Sequence, residues 1–228
     1  MTSVGTVVVT GGSSGLGAAV AAAVAAEGGR PVVLDRVPPE SGHEHIVVDL
    51  ADSRAAERAV ADAAALAGGI DAVVTAAGTD RCGTLAGVPG DEWDRVIQVN
   101  LLGTAAVIRA ALPHLTESRG RVVTVASTLA FRALSDATAY CASKFAIVGF
   151  TRALAAETKG QVGVTMLVPG GMQTHFFDDR DPRYKPGPDA KLNRPEDVAQ
   201  AVLFALKQPA GCEVRELVIT PAEEPSWP

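Results

Sequence analysis

A tyrosine and a lysine stand four residues apart in a segment whose pattern predicts a helix. Tyr140 and Lys144 would therefore share one face of that helix. A free tyrosine is a poor base at neutral pH because its pKa is about 10. An ammonium group roughly 5 Å away would favour the phenolate by about 2 pKa units, which brings Tyr140 toward the range of an acid–base catalyst. The pair predicts a side chain that moves a proton at a substrate oxygen.

Two other polar residues fit the same chemistry. Ser127 closes a predicted strand 13 residues before Tyr140, where its hydroxyl could donate to a substrate oxygen as negative charge develops. Asn100 lies in the long helix predicted after the fourth strand, and it could hold a water molecule that links Lys144 to solvent. Each residue alone also fits an ordinary surface or strand-end position, so the prediction rests on their combination.

A glycine-rich turn near the start of the chain is suited to binding a dinucleotide. Gly11, Gly15 and Gly17 follow the first predicted strand in the spacing G-x-x-x-G-x-G, and a helix begins directly after them. Glycines let the backbone approach a pyrophosphate, and the helix N-terminus adds unpaired N–H groups and a positive dipole end. The strand–turn–helix context separates this turn from a simple glycine-rich connector. The predicted contacts in the turn are Gly11, Ser13, Ser14, Gly15, Leu16 and Gly17.

An acidic residue is placed to select the cofactor. Asp35 ends the second predicted strand, 18 residues after Gly17, and its carboxylate can accept hydrogen bonds from the ribose hydroxyls of NAD. Arg36 could instead hold the 2′-phosphate of NADP. Ser14 supplies no second positive charge, however, and Asp35 would repel that phosphate. The sequence therefore predicts NAD, with NADP as the disfavoured alternative.

Short β-branched runs alternate with alanine-rich helical patterns along the chain. The predicted strands are Thr6–Val9, Pro31–Leu34, Ile46–Asp49, Ala72–Thr75, Val122–Ala126, Val162–Val168 and Leu217–Ile219. The predicted helices are Leu16–Glu27, Arg54–Leu66, Asp91–Thr116, Ala139–Lys159 and Pro195–Leu206. Several strands are apolar without alternation, as in a parallel sheet that is covered on both faces. The pattern predicts an α/β fold, a doubly wound parallel sheet of the Rossmann type with about seven strands and helices on both faces.

One proline- and glycine-rich stretch, Asp178–Asn193, resembles a domain boundary. Only 35 residues follow it, which is too few for a second core. We therefore expect a single domain over residues 1–228, with a lid at about 175–193. Aromatic and basic side chains in and near this lid are candidates for substrate contacts, although neighbouring aspartates offset the positive charge. These candidates are Phe131, Phe176, Phe177, Arg132, Arg180, Arg183 and Lys185.

Composition limits the partners that can be expected. The chain has a net charge of −6 and spreads its 20 basic residues without a block, which argues against nucleic acid. No apolar run approaches the roughly 20 residues of a membrane span, and we expect no signal peptide before the first strand. Three cysteines far apart predict neither disulfides nor a metal site. We expect a soluble, cytoplasmic protein that binds neither membranes nor metal.

Together these motifs resemble the short-chain dehydrogenase/reductase family, in its compact single-domain members. The resemblance covers roughly Thr6 to Pro228 and also rests on Pro169-Gly170 followed by Thr174. It implies that Asn100, Ser127, Tyr140 and Lys144 form a catalytic tetrad. It further implies that Lys144 binds the nicotinamide ribose, Asp49 the adenine and Thr174 the carboxamide. The remaining implied cofactor contacts are Leu50, Ala76, Ala77, Gly78, Tyr140, Pro169 and Gly170.

The chain departs from that family at the fourth strand. The family usually has Asn-Asn-Ala-Gly there, whereas this chain has Thr75-Ala76-Ala77-Gly78. Contacts made by the backbone can survive the change, so it puts local stabilisation in doubt rather than activity.

Function and assembly are separate questions at this stage. An enzyme that oxidises an alcohol or reduces a ketone is favoured by the complete tetrad. A cofactor-binding regulator or scaffold without turnover stays open, because fold alone does not decide between them. A sugar-nucleotide epimerase would need a larger C-terminal substrate domain. The helices Asp91–Thr116 and Ala139–Lys159 carry more apolar residues than one face needs, which predicts a homodimer or homotetramer that acts on a small carbonyl or alcohol substrate.

Overall fold

The computed structural model describes residues 4–227, and within them seven parallel strands form one sheet in the order β3-β2-β1-β4-β5-β6-β7. The strands are β1 Thr6–Thr10, β2 Arg30–Asp35, β3 Glu44–Val47, β4 Ala72–Thr75, β5 Arg121–Val125, β6 Gly163–Pro169 and β7 Glu216–Ile219. Every predicted strand is present within about two residues of its predicted bounds. The doubly wound parallel sheet is confirmed.

Helices cover both faces of this sheet. They are α1 Gly15–Ala26, α2 Ser53–Ala67, α3 Gly90–Ile97, α4 Thr104–Ser118, α5 Thr138–Glu157 and α6 Pro195–Leu206. Helices α1 and α6 bury their valines and leucines against one face of the central strands. Helices α2 and α4 and the end of α5 pack on the other face, around β-branched residues such as Val8 and Val32. Because both faces are covered, the central strands are apolar on both sides.

The long helix predicted after β4 is interrupted by a π-helix. Residues Gln98–Gly103 form this six-residue segment between α3 and α4. A Cβ on Gly103 would lie 2.6 Å from the Leu50 carbonyl oxygen, so glycine is needed for the close approach. Such π segments within α-helices are frequent at functional sites. This one contains Asn100, a candidate site residue that a regular helix pattern does not mark as special.

The expectation that no apolar segment is long enough to span a membrane is wrong. In the part of the chain that the structure describes, the continuous helix Gly90–Ser118 has the length and apolar composition of a membrane span, and 44% of its most apolar window is buried. Its side chains Val96, Val107 and Ile108 are buried in the core of the protein. A helix that packs on a sheet passes the same test, so the finding is weak evidence for a membrane.

The strand order creates a crevice at one edge of the sheet. Thr10, at the end of β1, pairs with Leu34 of β2 on one side and with Thr75 of β4 on the other. The connection after β1 leads to β2 on one side of it, whereas the connection after β4 leads to β5 on the other side. Ligands of open α/β sheets bind at such switch points. Since all strands are parallel, the segments that follow β1, β2, β4, β5 and β6 emerge at this same edge.

Candidate active site

A cavity of about 1180 Å³ runs along this edge of the sheet. It joins the glycine turn, the ends of β2 and β5, the loop after β4 and the start of α5 to the segment after β6. The predicted residues that line it are Gly11, Ser14, Gly15, Leu16, Gly17, Asp35, Arg36, Asp49, Leu50, Ala76, Ala77, Gly78, Ser127, Tyr140, Lys144, Pro169, Gly170 and Thr174. Ser13 and Asn100 do not line it, but each forms a hydrogen bond with a lining residue, Asp35 and Thr79 respectively.

The glycine turn forms a cradle that side chains would fill. Gly11 has a φ of +68°, and a Cβ there would lie 2.7 Å from the Ala77 Cα. A Cβ on Gly17 would lie 2.1 Å from the Gly11 carbonyl oxygen. Ser14 precedes α1 as its N-cap and makes no side-chain capping hydrogen bond, so the first N–H groups of α1 are left for another acceptor. The turn fits a pyrophosphate.

Two acidic residues, Asp35 and Asp49, line the cavity near the ends of β2 and β3. The Asp35 carboxylate accepts hydrogen bonds from the Ser13 N–H at 2.9 Å and the Arg36 N–H at 2.6 Å. Asp49 pairs with Arg95 at 2.8 Å. Burial acts to raise the pKa of Asp49, but hydrogen bonds from Arg95 and the Ala51 N–H outweigh it and the pKa is lowered. Arg36 is exposed and lines the cavity, where its charge also acts to lower the pKa of Asp49.

Tyr140 and Lys144 meet at the opposite wall. Both lie on α5, with the Lys144 Nζ 5.6 Å from the centre of the Tyr140 ring and 2.8 Å from the Val125 carbonyl oxygen, to which it donates. Ser127, two residues after the end of β5, lies close enough to Tyr140 to act to lower the pKa of the Tyr140 hydroxyl. The three side chains thus surround one point of the cavity where a substrate oxygen can be held.

The expected lowering of the tyrosine pKa is wrong for this structure. Burial raises the pKa of Tyr140 to about 12, and the Ser127 hydrogen bond offsets only part of that rise. Burial also lowers the pKa of Lys144 to about 8, with Asp80 acting in the opposite direction. Burial removes both groups from water, and this penalty on their charged forms is the largest influence on each pKa.

Asn100 supports the site from the π-helix. Its side chain accepts a hydrogen bond from the Thr79 N–H at 2.8 Å and donates to the Thr79 carbonyl at 2.9 Å. It also donates to the Ser143 hydroxyl at 3.0 Å, and that hydroxyl donates to the Tyr140 carbonyl at 2.8 Å. Asn100 therefore ties the loop after β4 to the first turns of α5. The water link to Lys144 stays a prediction.

Aromatic side chains of the segment predicted as a lid line the cavity near Tyr140. The Phe176 ring lies 5.7 Å from the Tyr140 ring, and Arg180 stacks on Phe176 and Phe177 at 5.0 and 4.7 Å. Arg180 also pairs with Asp80 at 2.7 Å, and the two side chains are only 18% and 5% exposed. A further hydrogen bond joins the Tyr184 hydroxyl to Asp136 at 2.9 Å. The lid is held by side-chain contacts.

The sequence reasoning missed Asp80 and did not distinguish Arg180 from other basic residues. Arg183 is exposed and lies 3.4 Å from Asp181, and Lys185 donates to the Asp178 carbonyl. Arg180 alone of this lid trio is largely buried. Asp80 is a single acidic residue in the loop after β4, and nothing in the neighbouring sequence marks it as special. Its importance becomes clear only from its contact with Arg180, 100 residues later.

A phosphate-binding turn at the switch point of a parallel sheet, facing a serine, a tyrosine and a lysine, is typical of nicotinamide-dependent α/β oxidoreductases. Residues 5–185 match the family model described as short chain dehydrogenase. The chain belongs to the short-chain dehydrogenase family, as its motifs predict.

Individual relatives agree with this assignment. The chain is 33% identical over 226 residues to an uncharacterized oxidoreductase of Staphylococcus aureus strain MW2, across 94% of this chain and 96% of that protein. It is similar to the ligand-free aldohexose dehydrogenase of Thermoplasma acidophilum, with a TM-score of 0.84, 25% identity and coverage of 94% and 92%. It is also similar to an alcohol dehydrogenase of the archaeon Thermococcus sibiricus complexed with 5-hydroxy-NADP, with a TM-score of 0.86, 25% identity and coverage of 96% and 97%.

The family assignment carries a general function. The fold binds a nicotinamide cofactor and supports hydride transfer by a dehydrogenase or reductase, and members of the family typically act on small molecules.

Proposed function

We propose that this protein interconverts a carbonyl compound and a secondary alcohol, with NAD as cofactor and Tyr140 as the general acid and base. The observation that carries the proposal is the meeting of Ser127, Tyr140 and Lys144 at the wall of the cavity that also contains the glycine turn. A protein that only bound a nucleotide would have no need of a half-buried tyrosine beside a buried lysine at this point.

The cofactor would be held along the cavity by groups already described. The turn from Gly11 to Gly17 would hold the pyrophosphate, and Asp35 would accept the adenosine ribose hydroxyls. Lys144 would bind the nicotinamide ribose, and Thr174 the carboxamide. When bound, the cofactor supplies or accepts the hydride.

The chain's own residues would then control the proton. Ser127 donates a hydrogen bond to the substrate oxygen, and Tyr140 gives that oxygen its proton during reduction or takes it back during oxidation. The high pKa of Tyr140, about 12, keeps the phenol protonated at neutral pH, which suits reduction. Lys144 has a pKa of about 8, so it is still mostly an ammonium at neutral pH and favours the phenolate left behind.

We propose NAD rather than NADP because Asp35 carries negative charge where a 2′-phosphate would lie. Calorimetric titration of the protein should show NADH binding at least about tenfold more tightly than NADPH, a difference of roughly 1.4 kcal/mol. Asp35→Ala should narrow the difference. Equal or tighter binding of NADPH by the native protein would contradict the choice of NAD and would indicate that Arg36 binds the 2′-phosphate.

Assembly, domain organisation and location complete the proposal. We propose one domain over residues 1–228 with a lid at about 175–193, in a cytoplasmic homodimer or homotetramer. Much of the apolar surplus of the two helices lies within the chain, because Ile147, Val148 and Leu154 are buried there. Leu102 and Phe145 are still 47% and 46% exposed. Light scattering should report an oligomer at micromolar concentration, and Phe145→Glu should weaken it.

A panel of substrates tests the activity. Purified protein with NADH and a series of aldehydes and ketones, or with NAD and secondary alcohols, should change the nicotinamide absorbance with at least one substrate class. Tight binding of NADH without turnover on any compound of the panel would favour the regulator or scaffold. If the purified protein neither binds NADH nor turns over any compound, both the enzyme and the regulator or scaffold are contradicted.

A further inference from the structure

The last described residues of the chain lie against two loops of the candidate site. We call Glu224–Trp227 the C-terminal strap. The Glu224 Oε2 accepts a hydrogen bond from the Gly171 N–H at 3.1 Å, in the segment that follows β6. The carboxylate lies so close to Gly170 that a Cβ there would be 2.3 Å from Oε2. One side of the strap is thus fixed to the segment that opens with Pro169 and Gly170.

The other side of the strap reaches the turn after β5. The Glu224 Oε1 accepts from the Ser226 N–H at 3.0 Å, and the Ser226 hydroxyl lies 2.6 Å from Oε1. That hydroxyl is also 2.7 Å from the hydroxyl of Thr128, the residue next to Ser127. One carboxylate therefore joins the segment after β6, through Ser226, to the turn that carries the catalytic serine.

Packing and charge hold the strap in place. Trp227 makes an edge contact with Phe131 at 5.5 Å between ring centres, and Arg132 donates to the Pro225 carbonyl. Burial acts to raise the pKa of Glu224, but hydrogen bonds from Ser226 and the Gly171 N–H outweigh it and lower the pKa. Glu224 is therefore a charged acceptor at neutral pH, and hydrogen bonds to charged groups are stronger than those between neutral ones.

Strands β5 and β6 are held in register by their ladder only as far as Val125 and Leu167. Beyond the strands, the relative position of the two segments depends on other contacts. We propose that Glu224 is a positioning residue, which fixes the distance between the Ser127 turn and the segment that receives the nicotinamide end of the cofactor. This inference rests on the proposed function, which places the Ser127 turn and the segment after β6 on opposite sides of the reacting atoms. Small displacements of reacting groups cost large factors in rate.

The test compares Glu224→Gln with Glu223→Gln. A glutamine at 224 has one oxygen in place of two, so its amide nitrogen must face either the Gly171 N–H or the Ser226 donors. We expect kcat to fall roughly tenfold and NADH affinity to fall severalfold, with a small change in melting temperature. Glu223 is exposed and makes no hydrogen bond with another residue of the described chain, so its variant removes the same charge one position away and should behave as the native protein.

A second variant separates the two sides of the strap. Ser226→Ala keeps the bond from the Gly171 N–H to Glu224 and removes the connection to Thr128. We expect kcat to fall while NADH affinity stays within about twofold, since only the Ser127 side is released. This variant also keeps the proposal testable if Glu224→Gln does not fold.

Two measurements do not need turnover. Calorimetric titration with NADH measures affinity, and hydrogen exchange in the protein alone should show faster exchange at residues 170–173 in Glu224→Gln but unchanged exchange in α6. Native exchange, affinity and kcat in Glu224→Gln would overturn the proposal, and so would equal losses in Glu223→Gln. If the native protein binds NADH but turns over nothing, the proposed function fails, while affinity and exchange still decide the role of Glu224.

Discussion

The two ends of the cavity are built in different ways. At the cofactor end, Gly11 and Gly17 let one stretch of backbone pass another at distances that no side chain permits. At the substrate end, the lid is held by side chains from distant parts of the chain, above all the Asp80–Arg180 pair. The first end needs particular backbone conformations, and the second needs particular partners. We therefore expect a single added Cβ to disrupt the proposed cofactor end. Substitutions at the proposed substrate end should instead weaken substrate binding by degrees.

The largest expected effect lies where the two ends meet. Tyr140→Phe keeps the ring that contacts Phe176 and removes only the hydroxyl. We expect turnover to fall by about 10²- to 10⁴-fold, the usual contribution of general acid–base catalysis, with NADH affinity nearly unchanged. Steady-state rates on a substrate identified from the panel, together with calorimetric titration, measure both. A variant with near-native turnover would falsify the proposed mechanism.

The next effect concerns the cofactor end alone. Gly17→Ala places a Cβ 2.1 Å from the Gly11 carbonyl oxygen, so backbone must move and the pyrophosphate cradle is distorted. We expect NADH affinity to fall by at least about tenfold, with loss of stability on the order of 1–3 kcal/mol. Calorimetric titration and urea unfolding measure these changes.

Gly149 provides a matched control for that substitution. It lies in α5, and a Cβ there would meet no atom within 4 Å. Gly149→Ala should leave NADH affinity unchanged and stabilise the protein by up to about 1 kcal/mol, because alanine favours a helix. If Gly17→Ala bound NADH as well as Gly149→Ala does, the described turn would not be the pyrophosphate site.

The substrate end is tested with Arg180→Met. Methionine retains much of the length of arginine but leaves the Asp80 carboxylate, only 5% exposed, without its partner. We expect KM for the substrate to rise roughly tenfold with NADH affinity within about twofold, and stability to fall by about 3 kcal/mol or more. Arg183→Met is the control, since its side chain is 70% exposed and its effect on stability should stay within about 0.5 kcal/mol. Equal effects of the two variants would mean that the buried pair does not hold the lid.

The smallest effect is a pH dependence. Lys144 has a pKa of about 8 in the folded protein, below its usual 10.5, so the unfolded chain binds more protons between these values. The free energy of unfolding should therefore rise as the pH increases from about 8 to 10, by roughly 1–3 kcal/mol relative to Lys144→Met. Tyr140, with a pKa raised to about 12, stays protonated throughout this range. Urea unfolding at several pH values checks the slope, and parallel curves for the two proteins would contradict the buried ammonium.

Sequence and structure differ most where burial decides the chemistry. The pairing of Tyr140 with Lys144 follows from a spacing of four residues on a helix, and the structure brings the two together. Their pKa values do not follow from the spacing, because burial, the largest influence on both values, disfavours the charged form of each group. The six-residue π-helix around Asn100 is also not indicated by the sequence, where Gln98–Gly103 continues the mixed polar and apolar pattern of the helix on either side.

The sequence by itself determined the elements and the cofactor turn. Strand Ala72–Thr75 and helix Pro195–Leu206 have the bounds predicted for them, and the glycines stand where the backbone requires them. Such requirements are local, so they are recorded in neighbouring residues. Only the tertiary structure decided that Asp80 meets Arg180 and that Glu224 reaches Gly171. These partners are 100 and 53 residues apart, and each becomes recognisable only when packing removes both from water and brings them together.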